Sequence, residues 1–110
     1  MERMGFHESI VSEVFDGKTC TWRIRDHKLK VGDVVEFENS QTGKIFGTGK
    51  ITGVIKTTVG KIDLDDKGHY KTYKTREELI EAFRKYNPSY KIDQYTPVYS
   101  YIYKFSPHNI

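Results

Sequence analysis

The run from Lys44 to Lys56, KIFGTGKITGVIK, interleaves strand-forming residues with glycine at 47, 49 and 53. Glycine loses more conformational freedom on folding than any other residue and gives a sheet no side chain to pack, so it weakens a plain strand. Three glycines in one short stretch predict bulges or the sharp bends of a barrel corner, spread over one or two strands. A chain built around such a run folds into a strongly curved sheet.

The rest of the chain supplies the partners for that sheet. In residues 8–15, Ile10, Val11, Val14 and Phe15 form one apolar helical stripe, and Asp16-Gly17 stops it, because glycine adopts positive φ cheaply. From Thr19 the period changes to two. Cys20, Trp22 and Ile24 share one face, while Thr19, Thr21, Arg23 and Arg25 share the other. Val31-Gly32-Asp33 is a turn, Val34 to Glu38 a strand, and Asn39 to Gly43 a loop. Residues 57–75 are irregular. Thr75 and Glu78 then make a capping box for a second helix, which buries Leu79, Ile80, Ala82, Phe83 and Tyr86 and ends at Asn87-Pro88. The closing strand, Val98 to Phe105, lines up Tyr99, Tyr101, Tyr103 and Phe105 as core and barrel-closing surface. The expected class is α+β: a small, mostly antiparallel, curled β-barrel of about five to six strands with two helices. At 110 residues, with no linker or repeat, residues 1–110 make a single domain.

Several functions are excluded by what is missing. Cys20 is the only cysteine, which rules out an internal disulfide and a cysteine-rich zinc site, and its parity makes it a buried small hydrophobe. The first ten residues lack the apolar core of a signal peptide, and no apolar run is long enough to span a bilayer. A cytoplasmic monomer with no membrane association is expected. Asp63, Asp65, Asp66 and His69 have the look of a calcium loop, but Lys67 and Lys74 stand where oxygen ligands are needed. That segment reads as a solvent loop, so no metal and no cofactor is expected.

Charge points the other way. Residues 18–30 carry Lys18, Arg23, Arg25, Lys28 and Lys30 against Asp26 alone, an excess larger than the +3 of the whole chain. Clustered cations suit a phosphate-facing surface, and arginine adds a planar fork that binds two oxygens at once or stacks on a base.

The stretch from Gly17 to Phe37 resembles the start of an ASCH domain, a family on the PUA-like β-barrel. Lys18, Thr21 and Arg23 match the last three elements of the family hallmark at its spacing. The hallmark glycine would fall at position 16, where this chain has Asp16 and shifts its glycine to Gly17. Lys30 to Val34 match the turn and strand that follow, and the glycine-broken strands, capped helix and aromatic final strand extend the likeness over about the whole chain. The resemblance implies binding of RNA or of a nucleotide or modified nucleoside. The cleft would be lined by Lys18, Thr21, Arg23 and Arg25, with Lys28, Lys30, Lys71 and Lys74 extending the track and Tyr70 and Tyr73 offering rings for stacking. Lys18 has the parity of the core face, so it reaches such a cleft only if the chain is still turning out of the helix stop. The alternative is a small amidohydrolase acting on a modified nucleoside such as acetylcytidine, in which Lys18 and Thr21 would be catalytic. Family members with that activity also use a glutamate before the second helix. Here that stretch, HYKTYKT over residues 69–75, holds no carboxylate, and His69 is the nearest substitute.

Overall fold

A computed structural model describes residues 2–65, 67–69 and 72–108, apart from the side chain of Lys67. It contains strands β1 (Arg3–Phe6), β2 (Cys20–Arg23), β3 (Val34–Asn39), β4 (Ile45–Thr58) and β5 (Pro97–Pro107), and helices α1 (Glu8–Phe15) and α2 (Arg76–Tyr86). The class is α+β, as the hydrophobic periodicity predicts. The strands form one sheet in the order β1-β3-β4-β5-β2, in which only β1 and β3 run parallel. The backbone ladder does not close into a complete barrel: β1 and β2 are its two edges.

The glycine-rich run is a single strand of 14 residues, β4. A register shift falls between Ile51 and Gly53 where β4 pairs with β5, and a second lies between Phe37 and Glu38 on β3. Gly47 and Gly49 do something different. A Cβ on either would run into an aromatic ring, that of Phe105 at Gly47 and that of Phe37 at Gly49. Those two glycines make room for the core.

Curling the sheet divides the core in two. Met4, Phe6, Val14, Val35, Phe37, Ile51, Tyr101 and Tyr103 form one cluster, and the rings of Phe6, Phe37 and Tyr103 meet inside it. Cys20, Trp22, Val59, Ile62, Leu79, Phe83, Ile92 and Val98 form the second, which places α2 against the other face of β2 and β5. Strand β2 separates the two and is buried on both faces: Cys20, Thr21 and Trp22 are 2%, 5% and 8% exposed.

The helix signals operate as their chemistry requires. The Thr75 side chain accepts from Glu78 N at 3.2 Å, and Glu78 Oε2 accepts from Lys74 N at 3.1 Å, one residue earlier than the reciprocal bond of an ideal capping box. The α1 stripe is thinner than expected, because only Val14 is fully buried and Phe15 is 55% exposed. No helix among the described residues is long and apolar enough to cross a membrane.

Candidate functional site

A cleft of about 570 Å³ opens between α1, β2 and α2. Its position follows from Gly17, which ends α1 with φ at +116° and turns the chain before β2 begins at Cys20. Lys18 lies inside that turn. It therefore escapes the parity of the strand and enters the cleft, where it is 3% exposed and its Nζ donates to the carbonyl of His69 at 2.7 Å. Thr21, Arg23 and Arg25 also line the cleft, as do Trp22 and Tyr73.

Arg23 is less available than a polar strand face implies. Its Nη1 donates to the Gly5 carbonyl at 2.6 Å, its Nε donates to Thr21 Oγ1 at 3.0 Å, and the guanidinium lies 4.5 Å over the ring of Phe6. It thus bridges the two edge strands and belongs to the core as much as to the cleft. Burial pushes its pKa down to about 10, against the pull of Tyr103 and Tyr101, which leaves it charged at neutral pH. Arg23 lines the cleft as expected, but with two of its nitrogens already donating within the protein. Arg25 is the more available of the two: its side chain is 65% exposed, with Glu2 Oε1 4.0 Å away.

The other expected residues divide. Lys28 and Lys30 are exposed in the loop after β2 and do not line the cleft, whereas Arg25 and His27 of the same loop do. Lys74 is exposed beside the N-terminus of α2 and is also outside the lining. Tyr73 is half-buried in the second cluster, and burial raises its phenol pKa. Tyr70, Lys71 and Asp66 lie outside the described residues. Among the described residues, no three His, Cys, Asp or Glu side chains gather to hold a metal.

The cleft also holds residues that sequence reasoning did not single out. Lys85, Tyr86, His7 and Gln41 line its outer part, and His27 lies beside Arg23 and Arg25. Trp22 stacks on His69 with ring centroids 3.6 Å apart. The most informative addition is Glu13 from α1. The carboxylate sought before α2 is not there, and the one acidic side chain among the described lining residues comes from the other helix. Its signal was its place at the edge of the apolar stripe, three residues after Ile10 and one before Val14.

His27 provides a pH test of this region. Burial, followed by the charge of Arg23, lowers its pKa below the ordinary 6.5, with Glu2 pulling upward. Unfolding therefore takes up a proton as the pH falls below about 6.5, and stability drains away from there down to the folded pKa. The urea midpoint is expected to drop as the pH falls below about 6.5, with a smaller drop in His27→Gln. Equal acid losses in the two proteins would remove His27 from the account.

No family model and no curated protein matches the sequence. Solved structures do. An ASCH domain from Lactobacillus crispatus superposes with a TM-score of 0.70 at 12% identity, covering 97% of this chain and 81% of that one. The chain has the ASCH-domain fold. The ASCH protein of Zymomonas mobilis agrees, with a TM-score of 0.65 at 11% identity over 96% of this chain and 68% of that one. A small Pyrococcus furiosus protein matches nearly end to end, at 23% identity, a TM-score of 0.57 and 96% coverage of both chains. In this fold the expected residues Lys18, Thr21 and Arg23 all line one cleft, with Arg23 also joining the two edge strands of the sheet.

Proposed function

We propose that this ASCH-fold protein binds RNA or a nucleotide in the cleft between α1, β2 and α2. The observation that carries the reading is the charge of the lining: Lys18, Arg23, Arg25 and Lys85 face a space that contains one acidic side chain among the described residues, Glu13. A cavity of about 570 Å³ is the size of a small-molecule site, and Tyr73 and Tyr86 give it aromatic surface on which a base can stack, beside the Trp22–His69 pair. The roles divide by exposure. Arg25 and Lys85, at the open rim, meet phosphate, while Tyr73 lies deeper with the base.

Trp22 is the only tryptophan and is stacked on His69 in the cleft, so its fluorescence reports occupancy. If Arg25 and Lys85 each neutralise one phosphate of a short single strand, together they contribute about −1.4 to the slope of log K against log salt. The Arg25→Ala, Lys85→Ala double variant is expected to flatten the slope by about that amount. A slope that does not move would remove the rim from the contact.

A second reading has its own observation. Lys18 is 3% exposed and Thr21 5% exposed, and a buried lysine beside a hydroxyl suits chemistry better than an open groove does. In that reading the protein hydrolyses the amide of a modified nucleoside such as acetylcytidine: the amide C–N bond breaks, water supplies the hydroxyl of the released acetate, and the nucleoside keeps its amine. Thr21 Oγ1 already accepts from Arg23 Nε, which would favour the hydroxyl as nucleophile. Incubation with acetylcytidine decides it, and no acetate above the Lys18→Ala control ends the hydrolase reading.

A further inference from the structure

The long strand β4 outruns its partner β3. Their pairing stops at Lys50, opposite Val34, and Ile51 closes it by donating to Asp33 O and accepting from Gly32 N. On the other side β5 accompanies β4 as far as Thr58. Residues 52–58 therefore have one paired side and one open side among the described residues. Tyr103 N donates to Thr19 O, away from β4, so by the alternation of an antiparallel ladder Ile102, Ser100 and Val98 are the β5 residues that exchange bonds with β4. Their partners are Gly53, Ile55 and Thr57. The N–H and C=O groups of Val54 and Lys56 consequently point out of the open side. The stretch reads TGVIKTT, with one charge and no proline, and Thr52, Val54, Ile55 and Lys56 are all exposed. Exposed edges are normally blunted by charge, by proline, by a bulge or by a covering segment. Here the one register shift, between Ile51 and Gly53, lies at the end of the stretch and leaves the rest regular. The nominal edges of the sheet are better guarded: Arg23 donates to Gly5 O on β1, and Thr19 N at the head of β2 donates to Gly68 O.

We propose that the open side of β4 pairs with the same strand of a second copy of this chain, antiparallel about a twofold axis through Ile55. The open stretch is bounded by the 32–33 backbone at Ile51 and by the 3₁₀ turn Val59–Lys61, so Ile55 is its midpoint. A twofold there sets 52 against 58, 53 against 57 and 54 against 56. Val54 and Lys56, the residues with outward groups, then face each other and exchange both backbone bonds, and symmetry repeats the exchange. Sliding the register by one residue sets outward groups against inward ones. A slide of two leaves part of the open stretch unpaired, and in one direction it opposes Lys56 to itself, like charge on like. In the centred register each Lys56 lies beside the other copy's Val54, where its methylene stem covers the methyls, and Ile55 meets its own counterpart. The stretch is thus complementary to itself in length, hydrogen bonding and charge, which is the argument for a second copy as the occupant. Closure about a twofold also consumes the edge of both copies and leaves no template for further addition. The same axis brings the Gly32 end of one open stretch to the Gly60 end of the other. Val31 stands at the first end and Tyr95 close to the second, since Gly60 N donates to Gln94 O, and these are the two most exposed large hydrophobic side chains among the described residues. None of residues 52–58 lines the cleft, so this pairing is independent of nucleotide binding.

The test is sedimentation equilibrium of the full chain over a wide concentration range. The mass is expected to rise reversibly from 12.9 kDa toward twice that value, with a marked concentration dependence because one pair of edges buries little surface. Ile55→Lys sets a charge opposite its own copy and is expected to hold the chain at monomer mass. Its thermal midpoint at low concentration should not move, since Ile55 is more than half exposed. Mild oxidation of Ile55→Cys checks the register. Residues opposed in a non-hydrogen-bonded pair have Cα atoms about 4.5 Å apart, within disulfide reach, so a covalent dimer is expected. Thr52→Cys would lie about 20 Å from its own counterpart and is expected to give none. The native Cys20 is buried and does not compete. Monomer mass at every concentration overturns the inference and leaves the edge to a strand of a different protein. A dimer that survives Ile55→Lys, or that crosslinks at 52 as readily as at 55, overturns it as well. If Ile55→Lys does not fold, the comparison of the two cysteine variants still decides.

Discussion

Arg23→Ala is expected to lose about 2–4 kcal/mol of stability in urea unfolding, along with nucleotide binding. The residue donates to Gly5 O from one edge of the sheet and to Thr21 Oγ1 from the other, over the ring of Phe6. Truncation withdraws a charge-assisted donor from a carbonyl and an aromatic face from its cation, and it leaves a void between β1 and β2. Recovery of the desolvation cost of a buried charge offsets part of this. Two further variants separate the causes. Arg23→Lys keeps the charge but cannot donate to Gly5 and Thr21 together or lie flat on Phe6, so it should recover less than half of the loss. Arg23→Met restores volume alone. A methionine variant as stable as the parent would show that the side chain acts only as packing and that the hydrogen bonds contribute nothing net.

This side chain also shows where the sequence stopped being legible. Placing Arg23 on the face of β2 opposite Trp22 follows from period two and agrees with the coordinates. How much of this face is covered depends on β1, whose Gly5 carbonyl takes the Arg23 guanidinium. That strand has four residues, too few for Met4 and Phe6 to announce an alternation, and its partner β3 lies some thirty positions on, with Arg3 opposite Glu36. β1 lies across this face, so Thr21 is buried and Arg23 partly buried at the edge of the cleft. The same nonlocality hid Glu13. A carboxylate was sought beside α2, where sequence neighbours are visible, whereas the cleft draws its carboxylate from α1 across the fold. Lys28 and Lys30 show the opposite limit, since neither lines the cleft. They are near Arg23 in sequence, but after His27, which still lines the cleft, the backbone takes a φ of 56° at Lys28. Elements governed by local chemistry were readable: Thr75 and Glu78 cap α2, and Gly17 stops α1. The fold class followed from those periods. The site needed tertiary geometry, because it is assembled from α1, β2 and α2.

The glycines of β4 give the second large effect, and its sign opposes the strand-propensity rule. In an ordinary strand interior, replacing glycine by alanine gains roughly 0.5–1 kcal/mol by restricting the unfolded chain. Gly49→Ala is expected to cost about 3 kcal/mol instead. Its Cβ would overlap Cζ and Cε1 of Phe37, a ring that is 0% exposed and cannot swing away. Phe6, Tyr103 and Phe105 hold that ring with centroids at 4.7, 4.9 and 5.8 Å. Gly53 is the internal control. A Cβ there meets first the Cδ1 of Ile102 at 3.0 Å, the far end of a flexible side chain, so Gly53→Ala should change stability by less than about 1 kcal/mol. Coupling identifies the cause. Combining Gly49→Ala with Phe37→Leu should cost less than the two losses added together, since the smaller side chain yields the space the new methyl needs. Strict additivity, or a Gly49→Ala protein as stable as the parent, would mean that the glycine serves backbone curvature and leaves the ring where it is for other reasons.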